Sequence, residues 1–262
     1  MGTARKDVRN RVNLQVWRVA FCSAFILGLT ILGMTQVTAG YEIIPDFTGT
    51  ILNGRVVYRG PLPREQPIAA DEHEDRSICG APMQSEALIV DKESHGVASS
   101  VISLEGVGKG KPFPENRTLH LGNRECKFIP RMSAISIDSR LELSNADPIL
   151  HNSHIRKYDS AGPTIMNVVQ PAGSKIQKSL HEVGFLDVRC RKHTFMRAGI
   201  HMFDHPYFAV TDKTGRFELT HVPPGTYTLR AWHEILGSIT KTITVTSKGP
   251  VTLDIELSSA ER

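Results

Sequence analysis

The chain has 262 residues, enough for one or two domains. Few aromatic residues and an ordinary charged fraction describe a globular chain. The formal charge of +4 sits in the first 40 residues, which hold Arg5, Lys6, Arg9, Arg11 and Arg18 against Asp7. The remaining chain is balanced, so nothing global points to nucleic acid as a partner.

Those first residues read as a secretory leader. The basic stretch ends near Arg18, and Val19–Met34 is mostly apolar. Val37-Thr38-Ala39 supplies small residues for cleavage after Ala39. The alternative is an uncleaved anchor, but a run of about sixteen apolar residues is short for a span of roughly 20. The expected location is periplasmic or secreted, with no membrane contact once the leader is removed. Beyond the leader, three cysteines remain: Cys79, Cys126 and Cys190.

Strand signals dominate the rest, and no convincing amphipathic helix is present. Thr50–Tyr58 predicts a strand, residues 61–82 an irregular Pro-rich loop, and Glu86–Asp91 and Val97–Leu104 two strands around Ser94-His95-Gly96. Glu105–Asn116, rich in Gly and Pro, reads as a linker or long loop. Short strands follow at Thr118–Leu121, Cys126–Ile129, Ser133–Ile137 and Leu141–Ser144. Ser160–Gln170 reads as a loop, Lys175–Leu180 and Gly184–Cys190 as strands, and Gly199–Phe203 as the last strand of this unit. Asp204-His205-Pro206 marks a boundary. Strands are then expected at Tyr207–Thr211, Arg216–Thr220, Thr226–Trp232, Ile239–Thr246 and Val251–Leu257. A tail of this size is small for a core of its own, so it is expected to lean on the preceding unit or on residues 47–104.

The chemistry-bearing stretch is Cys190-Arg191-Lys192-His193-Thr194-Phe195-Met196. Thiolate, imidazole and thioether follow one another at i, i+3 and i+6 after a strand. His151 stands about forty residues upstream. His₂Cys with a weak axial Met is the ligand set of blue-copper electron-transfer centres. Taken singly, each residue has a bland reading: a small core Cys, a packing Met, a solvated His. The joint spacing points to one copper ion held by His151, Cys190, His193 and Met196. His154 competes with His151, but on an extended segment residues three apart face opposite sides, so only one faces the metal. With Cys190 committed to metal, Cys79 and Cys126 are the candidate pair for a disulfide, which an oxidising compartment favours over two buried thiols. Asn152 is a candidate to tie the two ligand loops together.

Residues 116–205 resemble a cupredoxin, on Cys126-Lys127-Phe128-Ile129-Pro130, Asn145-Ala146-Asp147-Pro148, His151-Asn152-Ser153-His154 and the Cys190–Met196 loop, which is amicyanin-like. Thr211-Asp212-Lys213-Thr214-Gly215-Arg216-Phe217 with Val222-Pro223-Pro224-Gly225-Thr226-Tyr227 resembles a carboxypeptidase regulatory-like (transthyretin-like) β-sandwich. Gly49–Tyr58 is similar to the opening strand of such modules. The combination resembles exported proteins labelled methylamine utilisation proteins. The resemblance implies an all-β chain: a cupredoxin Greek-key β-sandwich plus a smaller transthyretin-like β-sandwich. The implied organisation is a signal peptide at 1–39, a β segment of the second module at 40–115, a copper domain at 116–205 and the regulatory-like sandwich at 206–262.

The expected function is one-electron transfer between redox proteins, with no general acid or base required and His193 near the surface as the exit. Arg156, Lys157, Arg189, Arg191, Lys192 and Arg197 form a basic rim that would steer an acidic partner; the bland reading is a solvated face. The alternatives are an electron-inlet subunit of a copper oxidoreductase, a structural or partner-binding β-protein with a vestigial site, and copper storage or delivery. Oligomeric state is left open.

Overall fold

The computed structural model describes residues 40–64, 67–68, 75–80 and 83–259. The leader expected over 1–39 lies outside the described residues.

In chain order the strands are β1 (Glu42–Ile43), β2 (Thr50–Arg59), β3 (Pro67–Ile68), β4 (Met83–Gln84), β5 (Val101–Glu105) and β6 (Lys109–Gly110), with a single helical turn α1 (Arg76–Cys79) between β3 and β4. Then come β7 (Thr118–Arg124), β8 (Lys127–Ile129), β9 (Met132–Ser136), β10 (Ser139–Asn145), β11 (His151–Lys157), β12 (Thr164–Gln170), β13 (Lys175–Leu180), β14 (Gly184–Arg189) and β15 (Arg197–Phe203). The chain closes with β16 (Phe208–Val210), β17 (Arg216–Val222), β18 (Gly225–His233), β19 (Gly237–Val245) and β20 (Val251–Ser258). Among the described residues no helix is long and apolar enough to cross a membrane.

Strands β7–β15 build the first sandwich from a sheet ordered β13-β10-β7-β8 and a sheet ordered β12-β11-β14-β15-β9. Two parallel pairings, β7 with β10 and β9 with β15, join strands that are not consecutive, because the chain crosses between the two sheets. Alternating residues fill the space between the sheets: Leu121, Leu141, Leu143, Ile155, Leu186, Val188 and Ile200 are all buried there. Cys190 and Met196 belong to this same core.

The second sandwich pairs β16-β5-β18-β19 with β17-β2-β20. Strands β2 and β5 precede the first sandwich in sequence, whereas β16–β20 follow it. The parallel ladder of β2 on β20, from Leu52 opposite Val251 to Arg59 opposite Ser258, unites chain segments about 200 residues apart. Leu52, Val56, Ile102, Leu104, Phe217, Leu229, Ala231, Ile255 and Leu257 form its core around the buried Tyr207. A short tail cannot bury enough apolar surface alone, and the two early strands complete it. The turn before β17 depends on Gly215, whose φ is +78° and whose carbonyl accepts the Val56 N–H at 2.8 Å. A Cβ there would lie 2.3 Å from the Val56 carbonyl oxygen and 2.7 Å from Gly96 Cα.

The two sandwiches touch through side chains. Arg131 bonds Glu234 at 2.7 Å, and Trp232 packs on His201 and Phe185 with ring centroids 4.4 and 5.2 Å away.

Three expectations need correction. Glu86–Asp91 forms no strand; Val90 makes a lone bridge to Val97. The strand expected from Val97 begins only at Val101, because Ser99 is left-handed (φ +60°) and the Ser100 N–H bonds the Thr211 hydroxyl instead of a ladder partner. Ser160–Gln170 is not a loop throughout: Thr164–Gln170 is an edge strand on β11, its β-branched residues obscured by the preceding Gly162-Pro163. In addition, Lys109–Gly110 in the expected linker pairs with Glu42–Ile43.

Candidate metal centre

Three segments of the first sandwich meet at one end of its core. Strand β11 begins at His151, β14 ends at Arg189, and the chain turns back to enter β15 at Arg197. The turn is closed by its own backbone: the Met196 N–H donates to the His193 carbonyl (2.9 Å), and the Cys190 N–H to the Met196 carbonyl (3.3 Å). A loop this short leaves Cys190 and His193 little freedom.

His151 is 0 % exposed, His193 1 %, and Cys190 and Met196 2 % each. His151 Nδ1 and His193 Nδ1 are 3.0 Å apart, and Cys190 Sγ is 3.8 Å from His193 Nδ1. One donor atom from each of His151, Cys190 and His193 lies within 4.8 Å of the others. That spacing is about twice a metal–nitrogen or metal–sulfur bond of roughly 2.0–2.3 Å, so one ion fits between them. Met196 is buried in the core that also holds Cys190. His154 points the other way, to the Thr164 hydroxyl (2.9 Å) and the Arg156 guanidinium (3.3 Å).

The outer nitrogen of each ligand imidazole meets a carboxylate. His151 Nε2 donates to Asp147 Oδ2 at 2.8 Å, and His193 Nε2 to Asp75 Oδ2 at 3.1 Å. These bonds assign the protons to Nε2 and leave both Nδ1 lone pairs aimed at each other beside the sulfur. A proton or a metal cation between them relieves that repulsion. Burial pushes the Cys190 thiol up, but the His151 imidazole and the N–H groups of His193, Asn152 and Lys192 push it further down, so it lies below its ordinary range. Burial opposes charge on His151, yet Cys190 and Asp147 outweigh it and raise its pKa. The metal-free pocket thus favours Cys190 as thiolate, the state a metal ligand needs, while any proton held at His151 has to leave as a metal binds.

Asp75 and Asp147 were not foreseen as functional residues. Asp147 lies four residues before His151 in a turn already marked by Asn145-Ala146-Asp147-Pro148, so a local signal existed. Asp75 stands 118 positions from His193 in a charged loop without pattern. Its ammonium partner Lys192 (2.7 Å) is the main cause holding the Asp75 carboxyl below its usual range, assisted by His193.

The expectation that His193 lies near the surface is not met: its side chain is fully buried, and Asp75 sits against the outer nitrogen of the imidazole. Asn152 does tie the two ligand loops together, but through its backbone N–H on the Cys190 sulfur and not through its side chain. The side chain bonds Asn167 Oδ1 (2.7 Å) and the Val168 carbonyl (3.1 Å) on β12. Cys79 and Cys126 are joined by a disulfide, with an S–S distance of 2.01 Å. The disulfide removes Cys126 from the alternative cluster of Cys126, Asp147 and His151.

The basic rim is largely neutralised. Arg189 and Arg197 face Asp187 at 2.7 and 3.6 Å, Lys192 faces Asp75, and Lys157 faces Glu182 at 2.6 Å. A cavity of about 230 Å³ opens beside Cys190, lined in part by His154, Arg156, Arg189, Arg191 and Thr194. Burial, then Arg156 and Arg191, push the His154 pKa down.

Residues 198–258 match the carboxypeptidase regulatory-like domain family. The match starts within β15, which belongs to the first sandwich by its pairing with β14 and β9. No curated protein matches the chain. Amicyanin from Paracoccus versutus is a similar solved structure, 16% identical over 34% of this chain and 84% of its own, with a TM-score of 0.30. A purple cupredoxin from Nitrosopumilus maritimus is 17% identical over 32% of this chain and 98% of its own (TM-score 0.28). A copper-containing nitrite reductase from Thermus scotoductus SA-01 is 17% identical over 38% and 25%, respectively (TM-score 0.29). The chain is nearly all β and combines two β-sandwiches, the second of which carries most of the carboxypeptidase regulatory-like match.

Proposed function

We propose that the chain is an exported type 1 (blue) copper protein that carries single electrons between redox partners. One observation carries the reading: two Nδ1 atoms and a thiol of lowered pKa converge within the core, each imidazole fixed from behind by a carboxylate. His151, Cys190 and His193 would hold the ion, and Met196, buried beside Cys190, would complete a His₂Cys-Met donor set. Bound copper supplies a one-electron Cu(I)/Cu(II) couple. The residues of the chain keep the donors nearly fixed in both oxidation states, exclude water and hold Cys190 as thiolate. Backbone closure of the Cys190–Met196 loop supports a small geometric change on electron transfer, and hence a low barrier.

The covered edge of His193 favours another exit. The cavity beside Cys190 brings solvent close to a ligand residue, and Arg156 and Arg191 line it beside the Arg189–Asp187 ion pair. This supports an acidic redox partner that docks there. The disulfide supports an oxidising compartment, periplasmic or extracellular. The domain reading is a copper domain at 116–205 inserted between strands of the regulatory-like sandwich.

The test is the visible and EPR spectrum after adding Cu(II), beside a Cys190→Ser variant. A strong thiolate-to-copper band with small hyperfine splitting, lost in the variant, is expected. A pale protein with an ordinary tetragonal signal, unchanged in the variant, would overturn the copper reading and leave a partner-binding β-protein.

A further inference from the structure

The two carboxylates behind the imidazoles are linked to each other. Asp75 immediately precedes α1, whose Cys79 N–H donates to the Asp75 carbonyl at 2.9 Å. An Asp at this position usually turns its side chain onto the free N–H groups of its own helix. Asp75 makes no such bond; its carboxylate is directed to Lys192 and His193 instead. On the other side, Glu125 and Cys126 form the two-residue turn between β7 and β8, both left-handed at φ +51° and +54°. Neither is a glycine, and such a pair persists only where surroundings enforce it. Asp147 does so: Oδ1 accepts the Glu125 N–H (2.7 Å) and Oδ2 the Cys126 N–H (3.0 Å). The same Oδ2 accepts from His151 Nε2. The Cys79–Cys126 bond joins these two arms.

We propose that Asp75 and Asp147 are positioning residues for the metal ligands, and that the Cys79–Cys126 disulfide clamps them into one unit. One continuous path runs from His193 through Asp75, the helical turn, the disulfide, the Cys126 N–H and Asp147 to His151. Each carboxylate fixes the ring plane and tautomer of its imidazole and makes Nδ1 a stronger donor. The disulfide keeps the Asp75 arm seated over His193: in α1, Arg76, Ser77 and Ile78 are exposed and Cys79 is buried. The clamp rests on the copper reading for its purpose, but its coupling is a property of the metal-free protein as well.

The experiment is a double-mutant cycle. Asp75→Asn is combined with the paired change Cys79→Ser and Cys126→Ser, and read in two ways. In metal-free protein, alkylation of the buried Cys190 by iodoacetamide should quicken about tenfold in either variant, with no further gain when they are combined. In copper-loaded protein, Asp75→Asn should raise the Cu(I)/Cu(II) ratio at fixed potential about tenfold, ~59 mV for one electron. Asp75→Glu should restore most of it, which a merely structural role would not predict. If the disulfide-free chain does not fold, the Asp75→Asn and Asp147→Asn cycle replaces it, since both variants keep the disulfide. Additive effects, or Cys190 alkylation unchanged in the single variants, would overturn the clamp. A wild-type protein with no thiolate-to-copper band would overturn the copper reading alone; the metal-free cycle still decides the clamp.

Discussion

At the scale of single residues, the centre separates side chains that sequence spacing leaves close together. His151 and His154 sit three apart on β11, and the alternation of the strand sends one into the ligand cluster and the other to Thr164 and Arg156. His151→Ala is therefore expected to abolish the thiolate-to-copper band, while His154→Ala keeps it; visible titration with Cu(II) distinguishes them. Gly215 is a residue of a different kind, fixed by backbone rather than chemistry. Its positive φ and the 2.3 Å approach to the Val56 carbonyl exclude a side chain. Gly215→Ala is expected to cost roughly 1–3 kcal/mol, read from denaturant midpoints at constant m-value.

At the scale of elements, the ligand loop and the α1 segment contrast. The loop from Cys190 to Met196 is anchored by strands on both sides and by its own hydrogen bonds. α1 is one turn long, too short to be stable alone. The disulfide closes a loop with a sequence separation of 47 residues. Its removal is expected to lower stability by about 4 kcal/mol through the chain entropy released in the unfolded state. Equilibrium unfolding of the paired Cys→Ser variant measures it. A loss near zero would mean that the segment is held by other contacts.

At the scale of the whole molecule, a buried histidine, His233, and a half-buried one, His201, couple stability to pH. Burial, and then Arg230 for His201 and Arg131 for His233, depress both to about 4. His233 Nδ1 accepts the Ile235 N–H at 3.2 Å, so it is held neutral in the fold. The unfolded chain binds more protons between about pH 6.5 and 4, so stability is full above the window and lost as pH falls through it. The loss is expected to reach up to about 3 kcal/mol for His233. Denaturant unfolding at pH 7 and 4.5 tests this, and His233→Gln should flatten the difference. The cavity lined by Arg156 and Arg191 makes a second prediction at this scale. Electron transfer with an acidic partner should slow as salt rises, and Arg191→Glu should reduce both the rate at low salt and its salt dependence. A rate indifferent to ionic strength would argue against electrostatic steering.

The sequence by itself determined what is local. Alternation of apolar residues specified an all-β chain, and Cys-x₂-His-x₂-Met after a strand brought three candidate ligands into one short loop, because backbone closure over seven residues leaves few other arrangements. The edge strand Thr164–Gln170 was hidden, since an exposed strand buries only part of one face and its apolar pattern is broken. Only tertiary structure decided what depends on distant segments meeting. The pairing of β2 with β20 completes a core that the tail could not close alone. Asp75 reaches His193 across 118 positions through a fold no local pattern encodes, and it covers the edge that the ligand loop, taken alone, would have left open to solvent.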